Sequence, residues 1–174
     1  DSGSAYVFEQ NQDGNWEQKA KLLPSQGVGG NRFGRSVSVS GDTVVVGSPF
    51  CGGSCHAYVF ERDPVDGTWA QKAELMASDG SGGDRFGWSV SISGDRVIVG
   101  AYGDDDNGGD SGSVYVFERN QVTGTWEQKA KLLASDGAAG DCFGISVSVS
   151  DDTVVVGAYH GADSGSAYVF EILP

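Results

Sequence analysis

Basic side chains are scarce in this sequence: 11 Lys and Arg stand against 24 Asp and Glu, a formal charge of −13. So acidic a surface excludes nucleic acid, whose phosphates need Lys and Arg, and equally an anionic membrane surface. A cationic partner, a divalent metal or a neutral sugar suits it better, and acidity also simply keeps a secreted protein soluble. Long apolar runs are missing as well. None approaches the roughly 18–20 residues of a membrane span, which excludes membrane insertion through a helix. With no initiating Met and no signal-peptide pattern, the 174 residues read as processed or excised from something longer.

Cysteine and histidine are equally sparse. Cys51, Cys55 and Cys142 are too few for a disulfide framework, although Cys51-Gly-Gly-Ser-Cys55 is able to close a small loop. Cys142 is then left as a buried thiol or a bridge to another chain. It aligns with Arg32 and Arg85 in the repeats described next, so it is expected to face solvent. His56 and His160 stand at no zinc-ligand spacing to the cysteines. Two histidines at unrelated positions, no nucleophile elbow and no phosphate loop make an enzyme the weakest reading.

What the sequence has is repetition. Trp16, Trp69 and Trp126 are spaced by 53 and 57 residues, and Phe33, Phe86 and Phe143 keep both offsets. The extra four residues fall in an acidic loop around Asp104 to Asp110. This period suits a four-stranded propeller blade and is too long for leucine-rich or hexapeptide solenoids. Within each unit, Ser36-Val37-Ser38-Val39-Ser40 alternates as a strand with two unlike faces. Its small serines suit a place where strands converge. A Gly41-Asp42 hairpin follows, then Thr43 to Val46, a β-branched run expected to be buried on both sides. Ala57 to Glu61 forms the third strand, and Trp69 to Leu75 a more polar edge strand carrying Lys72 as a charge against aggregation. No segment has helical periodicity, so the fold class is all-β.

Phe-Gly, a hydrophobic strand, Gly-Ala or Gly47-Ser48-Pro49, then Gly-Ser-x-Tyr-Val-Phe resembles the FG-GAP repeat. That repeat builds the seven-bladed propeller of integrin α-subunits, and this variant is similar to bacterial and algal FG-GAP-like repeat proteins. The resemblance covers essentially the whole chain and is specific for the blade rather than for a function. Gly100-Ala101-Tyr102 and Gly157-Ala158-Tyr159 depart from the family's Gly-Ala-Pro. The calcium loop of integrin blades is also missing: the connection between first and second strands is too short to wrap six or seven oxygens around an ion.

The resemblance places β-propeller-type four-stranded blades along residues 1–174 as one array. Residues 1–23 supply the third and fourth strands of a split blade, 24–76 and 77–133 one blade each, and 134–174 the first three strands of another. Propellers have four to eight blades, so about three repeats imply part of a larger ring, an oligomeric ring or an open array.

Candidate sites lie where the repeats differ. Asp104, Asp106 and Asp110, in a glycine-containing loop, are the candidate oxygen ligands for Ca²⁺, against a solvated turn as the plainer reading. Asp79, Asp84, Asp136 and Asp141 recur before Phe-Gly and suit turn formation. Trp16, Trp69 and Trp126 recur regularly, which favours packing between blades over sugar stacking. Trp88, Tyr102, Tyr159 and His160 vary between repeats or lie in loops, and are the candidate ligand-binding residues. The resulting expectation is an extracellular or cell-surface, non-enzymatic module for adhesion or assembly, by a protein partner or self-association. A carbohydrate-binding propeller, cation-dependent or not, is the alternative.

Overall fold

The computed structural model describes residues 2–26, 29–50, 52–53, 55–160 and 165–172. All regular structure among them is β, as expected. Two strands open the chain: β1 (Ala5–Gln10) and β2 (Trp16–Leu22). A first four-stranded sheet holds β3 (Ser36–Ser40), β4 (Thr43–Ser48), β5 (His56–Arg62) and β6 (Trp69–Leu75). A second holds β7 (Ser89–Ser93), β8 (Arg96–Ala101), β9 (Ser113–Arg119) and β10 (Trp126–Leu132). The third sheet has β11 (Ser146–Ser150), β12 (Thr153–Ala158) and β13 (Ser166–Glu171). Neighbours in each sheet are antiparallel and consecutive in sequence, the meander of a propeller blade, and the sheets do not close into a ring.

Period-2 alternation explains the stacking. In β4 and β5, Val45, Ala57 and Val59 point toward the second sheet and share a core with Val97, Val99, Tyr115 and Phe117. The intervening Val44, Val46, Tyr58 and Phe60 point the other way, onto Ala5 and Leu22 of the opening strands. The second sheet repeats this, with Ile98, Val114 and Val116 facing Val154, Val156 and Ala158. Both faces of the middle strands of the first two sheets, β4, β5, β8 and β9, are therefore buried, as the unbroken β-branched runs lead one to expect. At the two outer faces the same residue types are uncovered: Tyr6 and Phe8 are 49% and 52% exposed, and Val155 and Val169 39% and 67%.

The serines of the first strands do more than save space. Ser38 and Ser40 accept hydrogen bonds from the Ile92 and Gly94 N–H groups (both 3.1 Å), and the Ser36 hydroxyl donates to the Gly87 carbonyl (2.9 Å). Ser91, Ser93 and Ser89 repeat the set against Val149, Asp151 and Gly144. Each innermost strand thus satisfies backbone groups that its neighbour leaves outside its own ladder.

Phe-Gly is a turn and a wedge together. The Arg35, Trp88 and Ile145 N–H groups donate to the carbonyls of Arg32, Arg85 and Cys142, three residues back, at 3.1, 3.0 and 3.1 Å. Gly34, Gly87 and Gly144, at the third position of these turns, have φ of 91°, 85° and 89°, the left-handed conformation that glycine tolerates. Each phenylalanine packs edge-on against the Tyr and Phe of its own third strand, with Phe86 at 5.4 Å from Tyr115 and 6.0 Å from Phe117. Trp69 and Trp126 pack against the inter-sheet cores, in line with their regular spacing, whereas Trp16 on the opening strands is 70% exposed.

Cys142 corrects an expectation: it is buried, not solvent-facing. Arg32 and Arg85 have long side chains that leave this position, but the short cysteine stays beneath the acidic loop, whose Asp110 carbonyl accepts its N–H at 3.0 Å. Burial, then the nearby Asp110 and Asp141 carboxylates, push its thiol pKa up, away from thiolate reactivity.

Candidate functional site

The Phe-Gly turns and the ends of the second strands meet at one end of the sheets. Arg32 and Arg85 stand just before Phe-Gly with φ of 55° and 61°, and Arg35 and Trp88 just after it. Phe50 and Tyr102 follow β4 and β8. Their side chains form one cluster. The Arg32 and Arg85 guanidiniums lie 3.9 and 4.8 Å from the Phe50 ring centre, and Arg35 lies 4.0 Å from that of Trp88. Trp88 contacts Phe50 at 5.9 Å and Tyr102 edge-on at 4.7 Å. Cation–π attraction and ring packing hold the six together. Trp88 and Tyr102, both singled out by their variation between repeats, are thus brought together. Tyr159 and His160 are a separate pair after β12, with ring centres 4.0 Å apart and Tyr159 58% exposed.

Phe50 and the three arginines were not picked out by sequence. The available signal was their position: arginine flanks Phe-Gly on both sides in the first repeat and precedes it in the second.

The acidic loop is organised differently from a cation-binding loop. Asp104 is almost fully buried, and its carboxylate lies 3.0 Å from the Lys131 ammonium. Asp106 and Asp79 approach the same ammonium at 2.7 and 2.9 Å. The Tyr115 hydroxyl donates to Asp79 (2.9 Å) and Asp104 (3.0 Å). Burial opposes the charge on Lys131, but its bonds to Asp106, Asp79 and Asp104 outweigh that and raise its pKa. Burial pushes the Tyr115 hydroxyl up, and the bond to Lys131 holds the Asp79 carboxyl below its usual range despite partial burial. Asp110 stands apart: its N–H is bonded to Asp105 and its carbonyl to Cys142.

The three proposed calcium ligands therefore do not fit an ion as placed. Two are tied to a lysine and the third is elsewhere, and no group of three or more His, Cys, Asp or Glu side chains placed to hold a metal ion occurs among the described residues. The loop instead clips the second and third sheets together: the Gly109 and Asp110 carbonyls accept the Gly140 and Cys142 N–H groups, beside the Phe143 N–H to Ser111 carbonyl bond whose counterpart in the first repeat is Phe33 to Ser2. In the first sheet the slot of Lys131 is filled by Glu74, whose carboxylate lies 2.9 Å from His56 Nδ1.

Residues 16–60, 69–117 and 126–170 each match the FG-GAP repeat, so the three matches span all three sheets and most of the chain. The chain belongs to the FG-GAP repeat family. No curated protein gives a significant match to it. As an FG-GAP protein it is a propeller-like interaction module, from a family that is generally non-enzymatic and structural. Within that family frame, the recurrent Asp79 and Asp136 act as acceptors for the tyrosine hydroxyls of the following sheet, with Asp136 at 2.7 Å from Tyr168. Asp84 and Asp141 close turns on the N–H groups of Ser81 and Ala138. Cys55 is disulfide-bonded, and Cys51, its expected partner, lies outside the described residues.

Proposed function

We propose that this FG-GAP chain is an extracellular, non-enzymatic module that binds a protein partner through the loop end of its blades. The carrying observation is the cluster of Trp88, Tyr102 and Phe50 with three arginines. Trp, Tyr and Arg are the residues in which interface binding energy concentrates, and well-packed ring clusters lose little side-chain entropy on binding. Guanidiniums already cover ring faces of Phe50 and Trp88, which favours this reading over sugar stacking. The disulfide at Cys55 supports an oxidising compartment.

The test is interaction capture from the extracellular fraction of the source, comparing wild type with Trp88→Ala/Tyr102→Ala. The double variant is expected to lose the specific partner while Trp16→Ala, also aromatic but remote, retains it. Equal capture by both, or a glycan-array signal lost in the double variant, overturns the reading.

Self-association is a second reading, favoured by the outer faces. Tyr6 and Phe8 on one, and Val155 and Val169 on the other, are the types that pack sheet on sheet inside the chain. Sedimentation equilibrium is expected to show mass rising with concentration, and the rise to vanish in Phe8→Asp. A constant monomer mass removes this second reading.

A further inference from the structure

Six arginines occur in the sequence. Arg62 is paired to Glu9 and Asp42, Arg96 to Glu118 and Asp152, and Arg119 to Glu61. Arg32, Arg35 and Arg85 form no ion pair within 4.0 Å among the described residues, in a chain with 24 acids. Even Asp110, which flanks Gly103 together with the Arg85 stem, makes none. Half of the guanidiniums are therefore kept off carboxylates and gathered on one aromatic cluster.

A guanidinium lying over a ring keeps its N–H fork pointing sideways, and Arg32 and Arg35 are exposed to solvent. Such a fork matches the planar, two-oxygen edge of a carboxylate. The open cleft of about 630 Å³ at the hairpin end makes the contrast, since its Arg96 is already held by Glu118 and Asp152 at 2.9 Å each. Net charge does not veto an anionic partner, because salt screens charges beyond a Debye length of about 8 Å at physiological strength. Contact charges then decide, and here they are positive.

We propose that Arg32, Arg35 and Arg85 receive an acidic segment of the protein partner, its Asp or Glu carboxylates on the guanidinium forks and an adjacent apolar side chain against Trp88 and Tyr102. This rests on the protein-binding reading above and adds the partner's chemistry. A peptide is favoured over an acidic sugar because arginines already lie over the Phe50 and Trp88 rings on which a pyranose would stack, leaving Tyr102 and the ring edges for a side chain.

The probe is a short fluorescein-labelled peptide alternating glutamate and leucine, titrated by anisotropy at physiological salt, with a glutamine–leucine peptide and a glucuronate oligomer as comparisons. The glutamate peptide is expected to bind and the other two not. Arg32→Gln/Arg35→Gln/Arg85→Gln, verified as folded by circular dichroism, is expected to weaken binding about tenfold or more. The matching triple Lys variant keeps the charge but not the fork, and should fall between. Unchanged affinity in the Gln triple overturns the proposal, as does binding of glucuronate in place of the peptide. If Trp88→Ala/Tyr102→Ala loses the captured partner while the Gln triple keeps it, protein binding stands and the acidic segment falls. If neither variant loses that partner, both fall.

Discussion

Gly100→Ala is expected to break the packing between the second and third sheets, at a cost above about 4 kcal/mol, in the range where a single change is exceptional. The reason is backbone against backbone. A Cβ at Gly100 would overlap the Gly144 carbonyl oxygen of the next Phe-Gly turn and the Ser89 hydroxyl beside it. Neither neighbour is free to give way. Gly144 N–H is bonded to the Gly157 carbonyl at 3.0 Å, and its own carbonyl accepts the Ser89 hydroxyl at 2.8 Å. The two sheets would have to separate, uncovering the core that Ile98, Val114 and Val116 share with Phe143, Val154 and Val156. Urea unfolding followed by tryptophan fluorescence measures this, with Gly109→Ala as the control, because nothing lies within 4 Å of a Cβ there. A loss below about 1 kcal/mol for Gly100→Ala would show that the sheets tolerate separation, contrary to the close packing of protein interiors.

Gly100 was legible in sequence as a recurring position, but the reason for it was not. Gly47, Gly100 and Gly157 keep the 53- and 57-residue offsets that the tryptophans and phenylalanines set, while the crossing of one repeat's strand over the next repeat's turn appears only in three dimensions. The serines of β3 and β7 are similar. Their smallness pointed to converging strands, yet nothing in a Ser-Val alternation announces that the hydroxyls accept N–H groups from the neighbouring sheet. Comparison between repeats did locate Trp88 and Tyr102. It missed Arg32 and Arg85 because they align with each other and look like scaffold, and Arg35 because it occupies the position of Trp88 itself while its cation–π pairing links two different repeats. Lys131 was missed for a further reason. It reads as one more charge on a polar edge strand, beside the exposed Lys129, and only the β-bulge between Gln128 and Ala130, which leaves Lys129 without a partner in the register, separates the inward from the outward lysine. The longer acidic loop coincides with Lys131, and the shorter cysteine-bearing loop with Glu74. That coupling was the signal available.

Lys131→Ala is the second large effect expected, a destabilisation of about 3 kcal/mol, in the lower part of the range for breaking a buried pair. For a chain of this size that corresponds to a melting temperature lower by roughly 6–12 °C. The Lys131 side chain is 16% exposed and that of Asp104 only 4%, so solvent does little to replace the lost partner. Asp79 and Asp106 are half exposed and recover hydration, which keeps the figure from the top of the range. The pH dependence identifies the cause. Lys131 has its pKa raised in the folded state, so its contribution is fully present below the unfolded value near 10.4 and is lost as pH rises through the higher folded value. Asp79 has its pKa lowered, so its contribution is present above the unfolded value near 3.9 and is lost as pH falls through the lower folded value. The gap between wild type and variant should therefore be widest from about pH 5 to 9 and shrink in acid, where Asp79 protonates and no longer needs an ammonium. Lys129→Ala removes the neighbouring lysine from an exposed pair with Glu127 and should leave the melting temperature unchanged. A gap that does not vary with pH would assign the loss to the packing of the lysine stem against the Tyr115 ring, and the internal counter-ion would not be what holds the acidic loop.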